Sequence, residues 1–76
     1  MNEKTYCNIM NRIRKLAREN GEANSSDVPV TVKLLGGDTF RAELGNIQRE
    51  DGYIYAYTDK DTYCFAPFEN ILSVEV

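Results

Sequence analysis

Tyrosines at alternate positions are the residues of this chain that are best placed to bind a partner. Tyr53, Tyr55 and Tyr57 lie two residues apart, so in a strand their side chains would share one face. Rings on a strand face can stack on nucleobases or anchor a protein partner. The alternative is that the tyrosines pack under a helix or against neighbouring strands, because the preference of tyrosine for strands already explains their presence. In that case Tyr55, in the middle of the strand, would be the most covered of the three.

A second candidate surface is basic and lies in the first twenty residues. It consists of Arg12, Arg14, Lys15 and Arg18, which project mainly from one side of a predicted helix. Such a surface could contact phosphates, anionic lipid or an acidic protein, or it could simply be solvated or paired with the protein's own acids. Membrane binding is disfavoured because the apolar side of the helix is not rich in Trp, Phe and Leu and is needed for the core.

Catalysis is the function class with the least support. The chain has no histidine, so the usual general base and the usual partner of a nucleophile are both missing. Cys7 and Cys64 have no activating neighbour in the sequence, and the paired carboxylates fall in predicted turns. Two sulfurs without an imidazole do not suit a zinc site. We therefore predict no enzyme activity, no cofactor and no metal.

Composition and charge limit the domain count, the location and the partners. The chain has 76 residues, 42% hydrophobic and 28% charged, which is ordinary for one small domain. The sequence has no membrane span and no secretory signal, so we expect a cytoplasmic protein in which Cys7 and Cys64 are free thiols. In an oxidising compartment, a disulfide between Cys7 and Cys64 is the alternative.

The two parts of the chain have opposite charge. Residues 1–20 carry five basic and two acidic residues, a net +3, whereas residues 21–76 carry four basic and ten acidic residues, a net −6. Nucleic-acid binding depends largely on phosphate contacts, so the acidic second part disfavours binding nucleic acid through its strands.

The apolar spacing predicts one domain with a helix at residues 1–20, a polar linker at 21–27 and antiparallel strands at 28–76. We expect five strands. The first covers residues 28–35, the second begins at residue 39 and continues through a bend at Gly45, and the last three cover residues 53–57, 62–66 and 71–76. The helix stripe consists of Tyr6, Ile9, Met10, Ile13, Leu16 and Ala17.

Turn lengths predict how the strands pair. A three-residue loop at 36–38 would place Leu34 opposite Phe40. An even-length loop after Tyr57 would place Ile54 opposite Phe65, and Ala56 opposite Tyr63, on the core side, with Cys64 on the tyrosine side. In the last strand, Leu72, Val74 and Val76 would share one face.

Two stretches of the chain resemble known small barrels. The run VTVKLLGGDTFRAEL at residues 30–44 resembles the opening of an Sm-like barrel, and YCFAPFENILSVEV at residues 63–76 is similar to the closing strands of YolD-like barrels. The resemblance implies an α+β fold in which the helix precedes a five-stranded, strongly bent antiparallel sheet or a small SH3- or Sm-like barrel. The Sm family's RNA-contacting loop and Arg-Gly signature have no match here, so RNA binding is not implied. The chain also resembles small proteins carried on mobile elements of Gram-positive bacteria.

The leading hypothesis is a non-catalytic small-barrel module that binds a protein partner or itself through the tyrosine face, a strand edge or the helix. The alternative is a nucleic-acid-binding accessory protein that uses Arg12, Arg14, Lys15 and Arg18. Fold analogy supports neither function by itself.

Overall fold

A computed structural model describes residues 1–21 and 24–76, and these form one α-helix and six strands. The elements are α1 (Glu3–Glu19), β1 (Pro29–Leu34), β2 (Thr39–Glu43), β3 (Ile47–Arg49), β4 (Tyr53–Tyr57), β5 (Tyr63–Pro67) and β6 (Ile71–Glu75). The strands make two antiparallel sheets of three, in the orders β2-β1-β6 and β3-β4-β5. The predicted linker lies partly outside the described residues, and its last three residues, Ser25–Asp27, form a 3-10 turn.

The helix agrees with its prediction in position and in most of its buried side. Asn2 caps its start by accepting a hydrogen bond from the Thr5 N–H at 2.8 Å, and Gly21 follows its end with a φ of 82°. The buried side chains are Tyr6, Met10, Ile13 and Ala17. Leu16, which was expected in the same stripe, is 38% exposed, so the buried stripe is narrower than predicted.

One hydrophobic core joins the helix to both sheets. Val30 and Val32 of β1 and Ile54 and Ala56 of β4 are each 0% exposed, and they belong to the same cluster as Met10. The start of the helix is also held near the end of β5. The Tyr6 ring lies 5.3 Å from the ring of Phe68, and the Met1 amino group donates to the carbonyl oxygens of Phe68 and Ile71 at 3.0 and 2.7 Å.

The α+β class and the antiparallel strands are confirmed, but the predicted count of five strands was wrong, because the described residues form six strands in two separate sheets that do not close into a barrel. The predicted bend at Gly45 is a 3-10 turn, Leu44–Asn46, that ends β2 and sends the chain into the other sheet. Residues 47–49 therefore form a sixth strand, and it pairs with β4 rather than with β1. A second 3-10 turn, Phe68–Asn70, passes the chain back from β5 to β6.

The first hairpin has the expected faces but a shifted pairing. Val32 lies opposite Phe40 and Val30 opposite Ala42, so the predicted pairing of Leu34 with Phe40 was wrong by two residues. The loop is indeed three residues long, at 35–37, and Gly37 takes its left-handed position with a φ of 93°. Because the shift is even, the same residues stay on the core side.

A bulge changes the face of one residue in the last strand. The pairing of β1 with β6 is regular at Val32–Val74 and then shifts between Lys33 and Leu34, so that Leu34 lies opposite Ile71. Leu72 is the extra residue and is 58% exposed, whereas Ile71 is buried. The prediction that Leu72 would share a face with Val74 was therefore wrong.

We expect Gly45→Ala to destabilise the fold, because a Cβ at position 45 would lie 2.7 Å from the Cβ of Ser26 and 3.2 Å from its carbonyl oxygen. The cost of such overpacking is about 1–3 kcal/mol, measurable by urea unfolding. Gly36→Ala is the control, since nothing lies within 4 Å of a Cβ there. The variant Ser26→Gly/Gly45→Ala should recover part of the loss, and equal stabilities for Gly45→Ala and Gly36→Ala would contradict the close approach.

Candidate functional site

The outer side of the β3-β4-β5 sheet carries a cluster of five aromatic rings, which we call the aromatic face. Its members are Tyr53, Tyr55 and Tyr57 of β4 and Tyr63 and Phe65 of β5. Tyr55 and Phe65 are stacked with their ring centres 5.5 Å apart, and Tyr57 meets Tyr63 edge-on at 5.1 Å. The other ring pairs, Tyr53–Tyr55, Tyr53–Phe65 and Tyr55–Tyr63, lie 6.4–6.5 Å apart. The rings therefore form one continuous surface.

The pairing of β4 with β5 differs by one residue from the prediction. Tyr55 lies opposite Phe65 and Tyr57 opposite Tyr63, so the expected pairs of Ile54 with Phe65 and Ala56 with Tyr63 were wrong. Phe65 and Tyr63 are on the outer side, and Cys64 is on the core side opposite Ala56. The tyrosine spacing predicts three of the five rings on this face, whereas the expected even-length loop places the other two, Tyr63 and Phe65, in the core.

The turn between β4 and β5 explains the difference. The Thr58 N–H donates to the Thr62 carbonyl at 2.8 Å, and the Asp61 N–H donates to the Thr58 carbonyl at 3.1 Å. Three residues thus form the loop, and Asp61 closes it with a φ of 58°. A three-residue hairpin loop needs one left-handed residue, which is usually glycine but is tolerated by aspartate. Because this loop contains no glycine, the sequence does not indicate its odd length, and an even-length loop is predicted instead.

The aromatic face is exposed. Phe65 is 64% and Tyr63 61% exposed, and Tyr57 and Tyr53 are 42% and 36% exposed. Tyr55 is half-buried among the other rings, as expected for a mid-strand position, and none of the β4 tyrosines belongs to the core cluster to which the helix contributes. The tyrosine stripe therefore does not pack under the helix, whereas the packing against a neighbouring strand that was the other part of this alternative is found where Tyr55 stacks on Phe65 of β5.

Gln48, Pro67 and Asp61 border the aromatic face. Gln48 of β3 lies opposite Tyr55, and Pro67 lies opposite Tyr53 at the end of β5. The Tyr57 hydroxyl donates to an Asp61 carboxylate oxygen at 3.4 Å. Residues 50–76, which include both aromatic strands, carry six acidic residues and one basic residue, Lys60.

The four basic residues of the helix do not form one compact site. Arg14 is half-buried, while Arg12, Lys15 and Arg18 are exposed. Arg14 donates to the side-chain oxygen of Asn11 at 3.3 Å, and Arg18 Nε donates to the Arg14 carbonyl at 3.4 Å. Among the described residues, none of the four lies within 4.0 Å of a carboxylate oxygen, so the predicted pairing with the protein's own acids is not found there.

A groove of about 430 Å³ lies between the helix and β3 and brings Arg14 close to Arg49. Arg49 donates to the sulfur of Cys7 and lies 4.0 Å from a Glu3 carboxylate oxygen. The hydrogen bond to Cys7 raises the pKa of Arg49 above its ordinary value, so the guanidinium stays charged. The sequence analysis did not find this neighbour, because β3 was not predicted as a separate strand.

Neither a metal-ligating group nor a membrane-spanning helix is found in the described residues. They contain no group of three or more Cys, Asp or Glu side chains arranged to hold a metal ion. Cys7 and Cys64 are free thiols, both half-buried. In the part of the chain that the structure describes, no helix is long and apolar enough to cross a membrane.

No family model, curated protein or solved structure matches this chain.

We expect the outer rings to contribute little to folding. Tyr63→Thr and Phe65→Thr keep a strand-forming residue at exposed edge positions, so each should lower the free energy of unfolding by at most about 1 kcal/mol. Ile54→Ala removes a side chain that is 0% exposed and should cost about 2–5 kcal/mol. Urea unfolding measures all three, and a loss above 2 kcal/mol for Phe65→Thr would show that its ring belongs to the core.

We also expect stability to fall at alkaline pH through Tyr6. Burial raises the pKa of Tyr6 from 10.0 to about 12, while Arg14 and Arg49 partly offset the rise. The unfolded chain then loses this proton before the folded chain does, so the contribution is present below pH 10 and is lost toward pH 12. Between pH 9 and 11 the loss should be about 1 kcal/mol.

Urea unfolding of Tyr6→Phe tests this expectation, because the variant should lack that part of the alkaline loss. Tyr63→Phe is the matched control and should keep the parent's pH dependence, since it removes a hydroxyl from an exposed ring. Parallel stability curves for the parent and Tyr6→Phe would contradict the role of Tyr6.

Proposed function

We propose that this chain is a non-catalytic interaction module that binds a protein partner, or a second copy of itself, through the aromatic face. The observation that supports the proposal is a continuous cluster of five aromatic rings on one sheet face, four of them exposed and the fifth, Tyr55, half-buried among them. Tyrosine and phenylalanine are enriched at protein interfaces, because large rigid rings bury much area at a low cost in conformational entropy.

The chemistry of the chain favours binding over catalysis. The sequence has no histidine, and the hydrogen-bond partner of the Cys7 sulfur is Arg49, which is not a base. The aromatic face itself holds no carboxylate, thiol or amine, and Asp61 touches only its margin through the Tyr57 hydroxyl. The resemblance to Sm-like and YolD-like barrels stays a prediction, and the proposal does not depend on it.

Nucleic-acid binding through Arg12, Arg14, Lys15 and Arg18 stays the alternative prediction. Binding of a labelled oligonucleotide at about 50 mM salt that weakens steeply with added salt would favour it. The surface would then be the helix and the groove, and Arg12→Gln/Lys15→Gln would weaken binding while Tyr63→Thr/Phe65→Thr would not.

The interaction role is tested by comparing three forms of the full chain as baits in lysate of the cells that make it. The test variant is Tyr63→Thr/Phe65→Thr. The control is Leu35→Thr/Leu72→Thr, which changes side chains that are 61% and 58% exposed outside the β3-β4-β5 sheet. Sedimentation velocity of the same three proteins measures self-association.

We expect the parent and the control to capture the same protein or to form the same oligomer. In the test variant, the affinity for that protein, or for self-association, should fall at least about tenfold, as for loss of an aromatic hot spot. The proposal fails if the test variant retains the partner. It also fails if the parent stays monomeric and captures nothing beyond an unrelated bait of equal charge.

A further inference from the structure

The outer edge of β5 is a row of backbone groups without a partner among the described residues. β5 is the last strand in the order β3-β4-β5, so β4 pairs with only one of its sides. Along an antiparallel strand, the backbone groups of successive residues alternate between bonding to the partner strand and pointing away from it. The hydrogen bond from the Thr58 N–H to the Thr62 carbonyl sets this alternation, so Cys64 and Ala66 bond to β4. The N–H and C=O groups of Tyr63 and Phe65 therefore point away from β4. No other hydrogen bond within the described residues uses these groups.

The side chains beside this edge belong to the aromatic face. Tyr63 and Phe65 are its two most exposed rings, and both lie on β5. A strand added along β5 would bring every second side chain within about 5.5 Å of a ring on the same face. Backbone pairing and ring contacts are therefore available to one ligand at the same time, as in strand-addition modes of peptide recognition.

Charge indicates which side chains the ligand carries. The turns at the two ends of β4 hold four acidic residues, Glu50, Asp51, Asp59 and Asp61, and one basic residue, Lys60, a net −3. Aromatic faces attract ammonium and guanidinium groups, and the acidic turns at either end of β4 add to that attraction. A segment bearing Lys or Arg would meet complementary charge.

We propose that the outer edge of β5 binds an extended, lysine- or arginine-containing segment of another protein as an added strand, with its basic side chains on the aromatic face. This inference rests on the proposed function and names the class of its partner. A second copy of the chain fits less well, because it would bring the same acidic segment against itself. A nucleic acid fits less well because its phosphates would meet a net negative surface.

A displayed library of random peptides of about ten residues, a common upper length for a strand, provides the probe. The full chain is the target, and Tyr63→Thr/Phe65→Thr is the counter-target. The selected peptides are expected to carry Lys or Arg at alternate positions and to lose at least about tenfold in affinity when these are replaced by Gln, as for loss of two cation–π contacts.

Two further measurements examine the edge itself. Binding of a selected peptide should shift the amide NMR signals of Tyr63 and Phe65 most and should slow their hydrogen exchange, because these N–H groups gain acceptors. The same peptide N-methylated at alternate residues, in the frame that removes its pairing N–H groups, should lose binding, while methylation in the other frame should be tolerated.

Each contrary outcome separates this inference from the proposed function. Selection of uncharged or acidic peptides, or no selection at all, overturns the basic-segment inference. Equal tolerance of both methylation frames overturns strand addition, and slow exchange of Tyr63 and Phe65 without peptide shows that self-association occupies the edge. In each case, loss of the captured partner in Tyr63→Thr/Phe65→Thr would still support the aromatic face as the interaction surface.

Discussion

The structure depends most on the pairing of β4 with β5. Side chains alternate between the two sides of a strand, so one choice of register decides both what is buried and what is displayed. With Tyr55 opposite Phe65, the residues Ile54, Ala56 and Ala66 face the core. A shift of one residue along β5 would put Phe65 and Tyr63 inside and would turn Cys64 and Ala66 outward.

The backbone conformation of Asp61 sets this register. Its φ of 58° allows a three-residue loop that returns the chain with an odd offset. The same loop brings its carboxylate within 3.4 Å of the Tyr57 hydroxyl at the margin of the aromatic face. The same turn therefore sets the register of β4 and β5 and places a carboxylate at the margin of the aromatic face.

The two sheets share a core because the chain crosses between them at two 3-10 turns. Leu44 and Phe68 begin these turns and are both buried, so each crossing is anchored by an apolar side chain. The helix then packs on the common core with one side and leaves its basic residues outside, apart from Arg14 in the groove beside β3. An aromatic surface in an acidic part of the chain and a basic helix surface therefore lie on separate elements of the fold.

The sequence by itself determined the helix and its main buried residues, the antiparallel strands, the bend at Gly45 and the shared face of Tyr53, Tyr55 and Tyr57. Local spacing is enough for these, because the periods of 3.6 and 2 act within a few residues. Only the tertiary structure decided that Tyr63 and Phe65 join that face, that Leu72 bulges outward, and that Arg14 and Arg49 line one groove. These features depend on loop conformation, on a ladder irregularity and on which sheet accepts residues 47–49. Such choices are made by packing between segments distant in the chain, which local periodicity does not record.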